Sequence, residues 1–134
     1  MPQKDPQGKL TGVQLEIMQA LWDAEPDGGT VAEIREAIQG DREVARTTVL
    51  TLVTRLLERH WLRREQDGRS WRYFPQLPRD EAVNRLTSDF LDEYFNGSPS
   101  DLIKSLLGSE RISGKELERA RKILQQAKRK GKQP

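Results

Sequence analysis

Between residues 46 and 59, Val49, Leu52, Val53, Leu56 and Leu57 recur at i, i+3, i+4, i+7 and i+8, which gathers them on one face of an α-helix. A helix with such a seam must lie on a core. Its other face reads Thr47, Thr51, Thr54, Arg55 and Glu58. β-Branched threonines on an outward helical face cost roughly a few tenths of a kcal/mol each relative to Ala, so something besides local stability selects them. A small hydroxyl with a methyl suits close approach to phosphates and to the thymine methyl of a major groove.

The segments before this helix are punctuated by capping signals. Thr11 with Gln14 forms a capping box, flanked by Leu10 and Leu15 as a hydrophobic staple. That helix carries Leu15, Met18, Leu21 and Trp22 until Pro26, Asp27, Gly28 and Gly29 break it. Thr30 with Glu33 opens a second, short helix that turns Val31, Ile34 and Ile38 inward and stops at Gly40. After the seam helix, residues 62–66 and 69–74 flank Asp67-Gly68, a pair that predicts a two-residue hairpin turn with positive φ at both positions. In that register Leu62 faces Tyr73, Arg64 faces Trp71 in position for a cation–π contact, and Arg63 faces Arg72. The last pair is a like-charge pair that a polyanion alongside would relieve. Arg69 sits at the hairpin tip.

Pro75 and Pro78 close this first unit, so the expected domains are residues 1–78 and 79–134. A helix over 80–96 carries Val83, Leu86, Phe90, Leu91, Tyr94 and Phe95 and ends at Gly97. Ser98, Pro99 and Asp101 open another with Leu102, Ile103, Leu106 and Leu107 before Gly108. Ser113 with Glu116 is a third capping box, stapled by Ile112 and Leu117, and Ala120, Leu124 and Ala127 follow. Three one-sided helices of this length rarely close a core alone. The expected solution is a two-fold dimer through Leu86, Phe90, Tyr94, Leu102, Ile103, Leu106, Leu107, Leu117 and Leu124. The Lys/Arg-rich end of the last helix suits the helix dipole without further function.

Composition narrows the chemistry. The 134 residues contain no cysteine and one histidine, His60, which removes disulfide frameworks, thiolate metal sites and a Ser-His-Asp triad from consideration. The carboxylates lie mostly on helix exteriors, with no Gly-rich phosphate loop and no nucleophile elbow, so neither an enzyme nor a cofactor is expected. No apolar run approaches the roughly 18 residues of a membrane span, and the N-terminus lacks a signal-peptide core, so a soluble cytoplasmic chain is expected. The net charge of +2 conceals an uneven distribution. Residues 1–41 hold three bases against eight acids, a net of −5; residues 42–72 hold eight arginines against four acids, a net of +4; residues 79–134 add +3. A basic block built of arginine alone presents planar forks that fit phosphates and guanine edges.

Helix, short capped helix, seam helix with a Thr/Arg outer face, then basic hairpin is the order of a winged helix-turn-helix. The expected fold is mainly α with a small β-hairpin wing, followed by a C-terminal helical dimerisation region. Two such heads related by a dyad would read an inverted repeat on double-stranded DNA. A different reading is a winged-helix protein-interaction module using Trp71, Tyr73 and Phe74, with the basic block incidental.

The stretches LTGVQLEIMQALW, TVAEIREAI, ARTTVLTLVTRLLER and DGRSWRYFP resemble the penicillinase-repressor family (BlaI/MecI type), over nearly the whole chain. That resemblance implies a homodimeric repressor on a palindromic operator, typically with TACA and TGTA half-sites. It places Arg46, Thr47, Thr48, Thr51 and Arg55 on a recognition helix, with Arg69 and Arg72 as wing contacts and Arg42 completing the basic block. It also implies a membrane-embedded sensor metallopeptidase as partner, relieving repression by cleaving an Asn-Phe bond in the dimerisation region. This sequence has no Asn-Phe; Ser105-Leu106 stands at about the corresponding place. It lacks the C-terminal cysteines of copper-responsive relatives, and it carries His60 where the family commonly has a helix-ending Gly, a site that favours left-handed backbone.

Overall fold

The computed structural model describes residues 5–10 and 12–131. Helix α1 (Val13–Asp23), α2 (Val31–Gln39) and α3 (Arg46–Glu58) precede an antiparallel hairpin, β1 (Leu62–Asp67) and β2 (Ser70–Pro75). Helices α4 (Arg79–Phe95), α5 (Pro99–Gly108) and α6 (Gly114–Lys130) follow. The mainly helical fold with a two-stranded wing is therefore the one expected. None of the described helices is long and apolar enough to cross a membrane.

The first compact unit is built on the seams. Ile17, Met18 and Leu21 of α1, Ile34 of α2, and Val49, Val53 and Leu56 of α3 are fully buried together, and Trp61, Leu62 and Tyr73 of the hairpin region close the same core. Each such aliphatic side chain contributes about 1.5–3 kcal/mol by leaving water, an upper estimate because the unfolded chain already buries some surface. Thr30 caps α2 as predicted: its hydroxyl accepts from the Glu33 N–H at 3.2 Å while the Glu33 carboxylate accepts from the Thr30 N–H at 3.1 Å. Thr11, the expected cap of α1, lies outside the described residues; Gly12 directly precedes that helix.

Helix α3 ends in a full Schellman motif. The Trp61 N–H reaches the Leu56 carbonyl at 2.9 Å and the His60 N–H the Leu57 carbonyl at 3.1 Å, with His60 left-handed at φ 65. The segment before α1 is fastened to this corner. The Gln7 N–H donates to the Arg59 carbonyl at 2.9 Å, the Gln7 carbonyl accepts from the Trp61 indole at 2.9 Å, and the Arg59 guanidinium donates to the Gln7 and Lys9 carbonyls and to Gln14.

The hairpin differs from expectation by one step of its ladder. Leu62 pairs with Pro75, Arg63 with Phe74, Arg64 with Tyr73, Glu65 with Arg72, Gln66 with Trp71 and Asp67 with Ser70. The two-residue loop is thus Gly68-Arg69, with positive φ (63) at Gly68 alone, the pattern of a type II′ turn with Gly first. Asp67 is the last strand residue, and its carboxylate accepts from Arg72 Nε at 3.1 Å. The like-charge Arg63–Arg72 pair therefore does not form. The shift moves every partner by two positions, so Leu62, Arg64, Trp71 and Tyr73 still share one face, buried at Leu62 and Tyr73 and exposed at Arg64 and Trp71, and Arg64 stacks on Trp71 diagonally at 4.1 Å.

A third backbone segment joins the wing. Gly29 and Tyr73 exchange both backbone hydrogen bonds, at 3.0 and 2.8 Å, so the glycine pair between α1 and α2 docks on β2 as well as breaking a helix. Gly28 has φ 64, and a Cβ there would stand 2.5 Å from the Tyr73 carbonyl oxygen, so only glycine fits.

The first unit runs past the expected boundary at Pro78, through Leu86. The Trp22 indole donates to the Leu77 carbonyl at 3.0 Å, Ala82 is fully buried, and Leu86 packs on the same core. Leu86, expected at a dimer seam, is thereby committed within its own unit.

The second unit, from Thr87 onward, contains no fully buried residue on α5 or α6. Phe90 clusters with Tyr94 and Phe95 at centroid distances of 5.1 and 5.7 Å. Ser98 and Ser113 cap α5 and α6, each accepting a backbone N–H at 3.2 Å. Helix α5 continues through Gly108 and turns at Glu110, which is left-handed at φ 59.

Candidate nucleic-acid interface

The outward face of α3 is assembled by default once its seam is buried. With Val49, Val53 and Leu56 inside, Arg46, Thr47, Thr48, Leu50, Thr51, Thr54 and Arg55 are all exposed. No side chain caps the N-terminus of α3, where Ala45 holds the cap position, so its first turn offers an unneutralised positive dipole end. Arg46 and Leu50 line a shallow groove whose far wall is the wing, through Arg69, Ser70 and Trp71. Helix α3 and the wing thus border one common groove.

The eight arginines of the basic block divide into two groups. Arg42 pairs with Glu16 and also reaches the Ile38 carbonyl at 3.4 Å, tying α2 to α1. Arg59 is used on the N-terminal segment, and Arg63 lies over Phe74 at 4.5 Å while pairing with Glu65. Arg72 is the most heavily engaged: it donates to Asp67, to Glu33 Oε1 at 2.9 Å and to the Asp27 carbonyl at 3.2 Å. Its side chain is 25% exposed and points away from the α3 groove toward the α1–α2 turn. By contrast Arg46, Arg55 and Arg69 have no carboxylate partner among the described residues, and Arg64 has only its stack on Trp71.

Electrostatics at the latch follow from these bonds. The Thr30 N–H and then the Arg72 guanidinium hold the Glu33 carboxyl below the usual carboxylate range. Asp67 first and Glu33 second raise the Arg72 guanidinium above its ordinary value. The pair stays ionised through neutral pH, and the wing is anchored to the cap of α2.

Sequence reasoning missed this latch and the role of Arg59, because both depend on residues 39 or more positions apart. The Thr30–Glu33 capping box was the available signal, since it fixes where the Glu33 carboxylate must lie. Sequence reasoning also passed over Leu50, whose place opposite the seam was visible from helical spacing. Ser105 and Leu106 lie within α5, and their carbonyls accept from the Ser109 and Arg111 N–H groups at 3.0 and 3.2 Å.

Comparison with known proteins gives the family of the chain. The family model described as Penicillinase repressor matches residues 10–126. The chain belongs to the penicillinase repressor family. It is 22% identical to a penicillinase repressor of Bacillus licheniformis, over 93% of this chain and 96% of that one. It is 27% identical to a penicillinase repressor of Staphylococcus aureus over 86% of this chain and 95% of that one. A transcriptional regulator BlaI of Mycobacterium tuberculosis is 36% identical over 62% of this chain and 59% of its own. The family is one of transcriptional repressors, not of enzymes, and the matched span includes both the winged unit and most of the helical unit.

Proposed function

We propose that this chain is a homodimeric repressor that reads an inverted-repeat operator, with α3 in the major groove and the hairpin tip along the flanking backbone. The observation that carries this reading is the groove that Arg46 of α3 and Arg69 of the wing share, with Arg55 at the other edge of the exposed α3 face; none of these three guanidinium groups has a carboxylate partner among the described residues. Arg46, Thr47, Thr48, Thr51, Arg55 and Arg69 make the contacts; Arg42 and Arg72 position the elements that carry them.

The second unit supplies the dyad. Ile103, Leu107, Leu117 and Leu124 are 41% to 57% exposed in one chain, an apolar surface that a second copy would cover. Two heads then engage half-sites about one helical turn apart, and each raises the effective concentration of the other. Cleavage at Ser105–Leu106, after local unwinding of α5, would divide this seam and release the operator. A membrane metallopeptidase is the partner proposed for that step.

The test is binding to an operator selected from a random duplex pool, measured against salt. Counterion release gives the logarithm of the association constant a slope of about −0.9 per neutralised phosphate against the logarithm of salt concentration. Arg46→Glu with Arg55→Glu should abolish specific binding while leaving the circular dichroism spectrum intact. A salt-independent interaction that survives this double reversal would instead favour the interaction-module reading.

A further inference from the structure

The centre of the α3 face is less polar than its composition suggests. The Thr51 hydroxyl donates to the Thr47 carbonyl at 2.9 Å, and the Thr54 hydroxyl donates to the Leu50 carbonyl at 2.8 Å. A hydroxyl has one proton, and bonding it to the carbonyl one turn back fixes χ1 with the oxygen against the helix. The Cγ2 methyls are then the outward groups. Between them and the wing stands Leu50, 48% exposed, in the same groove as Arg46 and Trp71. The middle of this face therefore presents an isobutyl group and threonine methyls, flanked by Arg46 and Arg55.

In a major groove the apolar feature displayed by the bases is the C5-methyl of thymine. We infer that Leu50, Thr51 and Thr54 select operator sequence by packing against thymine methyls, while the arginines supply phosphate attraction and register. This rests on the DNA-binding reading above and assigns its sequence discrimination. The threonines act through their methyls, since the one proton of each hydroxyl is already donated to the helix backbone.

The experiment replaces each thymine of the pool-selected duplex, one at a time, by deoxyuridine, which lacks only the methyl. At fixed salt, one or more positions per half-site should weaken by about fourfold, the value of one buried methyl-sized group. Leu50→Ala should erase the thymine/uracil difference at one of these positions with the salt slope unchanged. Thr51→Ser keeps the hydroxyl and removes the methyl, and should erase discrimination at its own thymine; Thr51→Val keeps the methyl and should retain it. A flat deoxyuridine scan on a duplex that is specifically bound overturns the methyl reading alone, as would a Thr51→Ser variant that discriminates while Thr51→Val does not. Failure to select any preferred duplex overturns the operator reading together with it.

Discussion

His60 holds the left-handed corner between α3 and the wing, and replacing it with glycine isolates the cost of that conformation. For an L-residue the left-handed region costs about 1–2 kcal/mol, somewhat less for His than for most side chains. Glycine removes this cost but adds unfolded-state freedom worth about 0.4–1 kcal/mol. Both Schellman bonds, from Trp61 to Leu56 and from His60 to Leu57, are backbone bonds that any residue can make. The expected net effect of His60→Gly is a stabilisation of up to about 1 kcal/mol, which corresponds to a rise in Tm of roughly 2–6 °C for a chain of this size.

Urea denaturation at constant protein concentration measures this directly, since dimerisation would otherwise shift the midpoint. His60→Ala is the decisive control, because it removes the imidazole and keeps the Cβ that causes the strain. It should be neutral or destabilising. If alanine stabilised as much as glycine, or if glycine gave no gain, left-handed strain at φ 65 would not be what this position costs the fold.

Gly28→Ala should separate the wing from the α1–α2 turn, because its Cβ would collide with the Tyr73 carbonyl; faster hydrogen exchange at the Tyr73 amide checks this. The Glu33 carboxyl, whose pKa is lowered on folding, contributes stability that is present above its ordinary value of 4.5 and is lost as pH falls through the lowered folded value. Stability of Glu33→Gln should therefore vary less with pH across that acid window in a urea series. Leu107→Asp with Leu124→Asp places charge on the apolar face of the second unit and should convert a dimer to monomers by sedimentation equilibrium, without loss of helix content.

What the sequence displayed and what it concealed divide by range of interaction. Thr30, Ser98 and Ser113 announce helix starts because a cap binds a backbone group three residues on, and the α3 seam announces a buried face because its period is local. His60 was legible as a left-handed corner through the family resemblance, which commonly places a helix-ending Gly there. The hairpin register was not. Asp67-Gly68 and Gly68-Arg69 are both acceptable turns, and the choice depends on Arg72 reaching Asp67 and Glu33 and on Tyr73 pairing with Gly29. The domain boundary moved for a related reason: Pro78 ends an extended segment, but the core still has room for Ala82 and Leu86 one and two turns later. In the site, the helix face was legible and the duties of its arginines were not.

Those duties change the meaning of the charge pattern. The acidic N-terminal segment supplies Glu16 and Glu33, the carboxylates that hold Arg42 and Arg72, so it acts as internal counter-charge to the basic block. On the proposed DNA-binding reading, the charge available to phosphates rests on Arg46, Arg55, Arg69 and the Trp71-stacked Arg64, and not on the basic block as a whole. Salt dependence can count this. Arg69→Gln should reduce the magnitude of the slope by about 0.9 for each protomer bound, since one phosphate contact is lost per head. Arg42→Gln should leave the slope unchanged, because that guanidinium is already paired, and any loss of affinity should appear equally at every salt concentration. If Arg42→Gln lowered the slope as Arg69→Gln does, its bond to Glu16 would have to open in the complex, and the division of the arginines into latches and readers would fail.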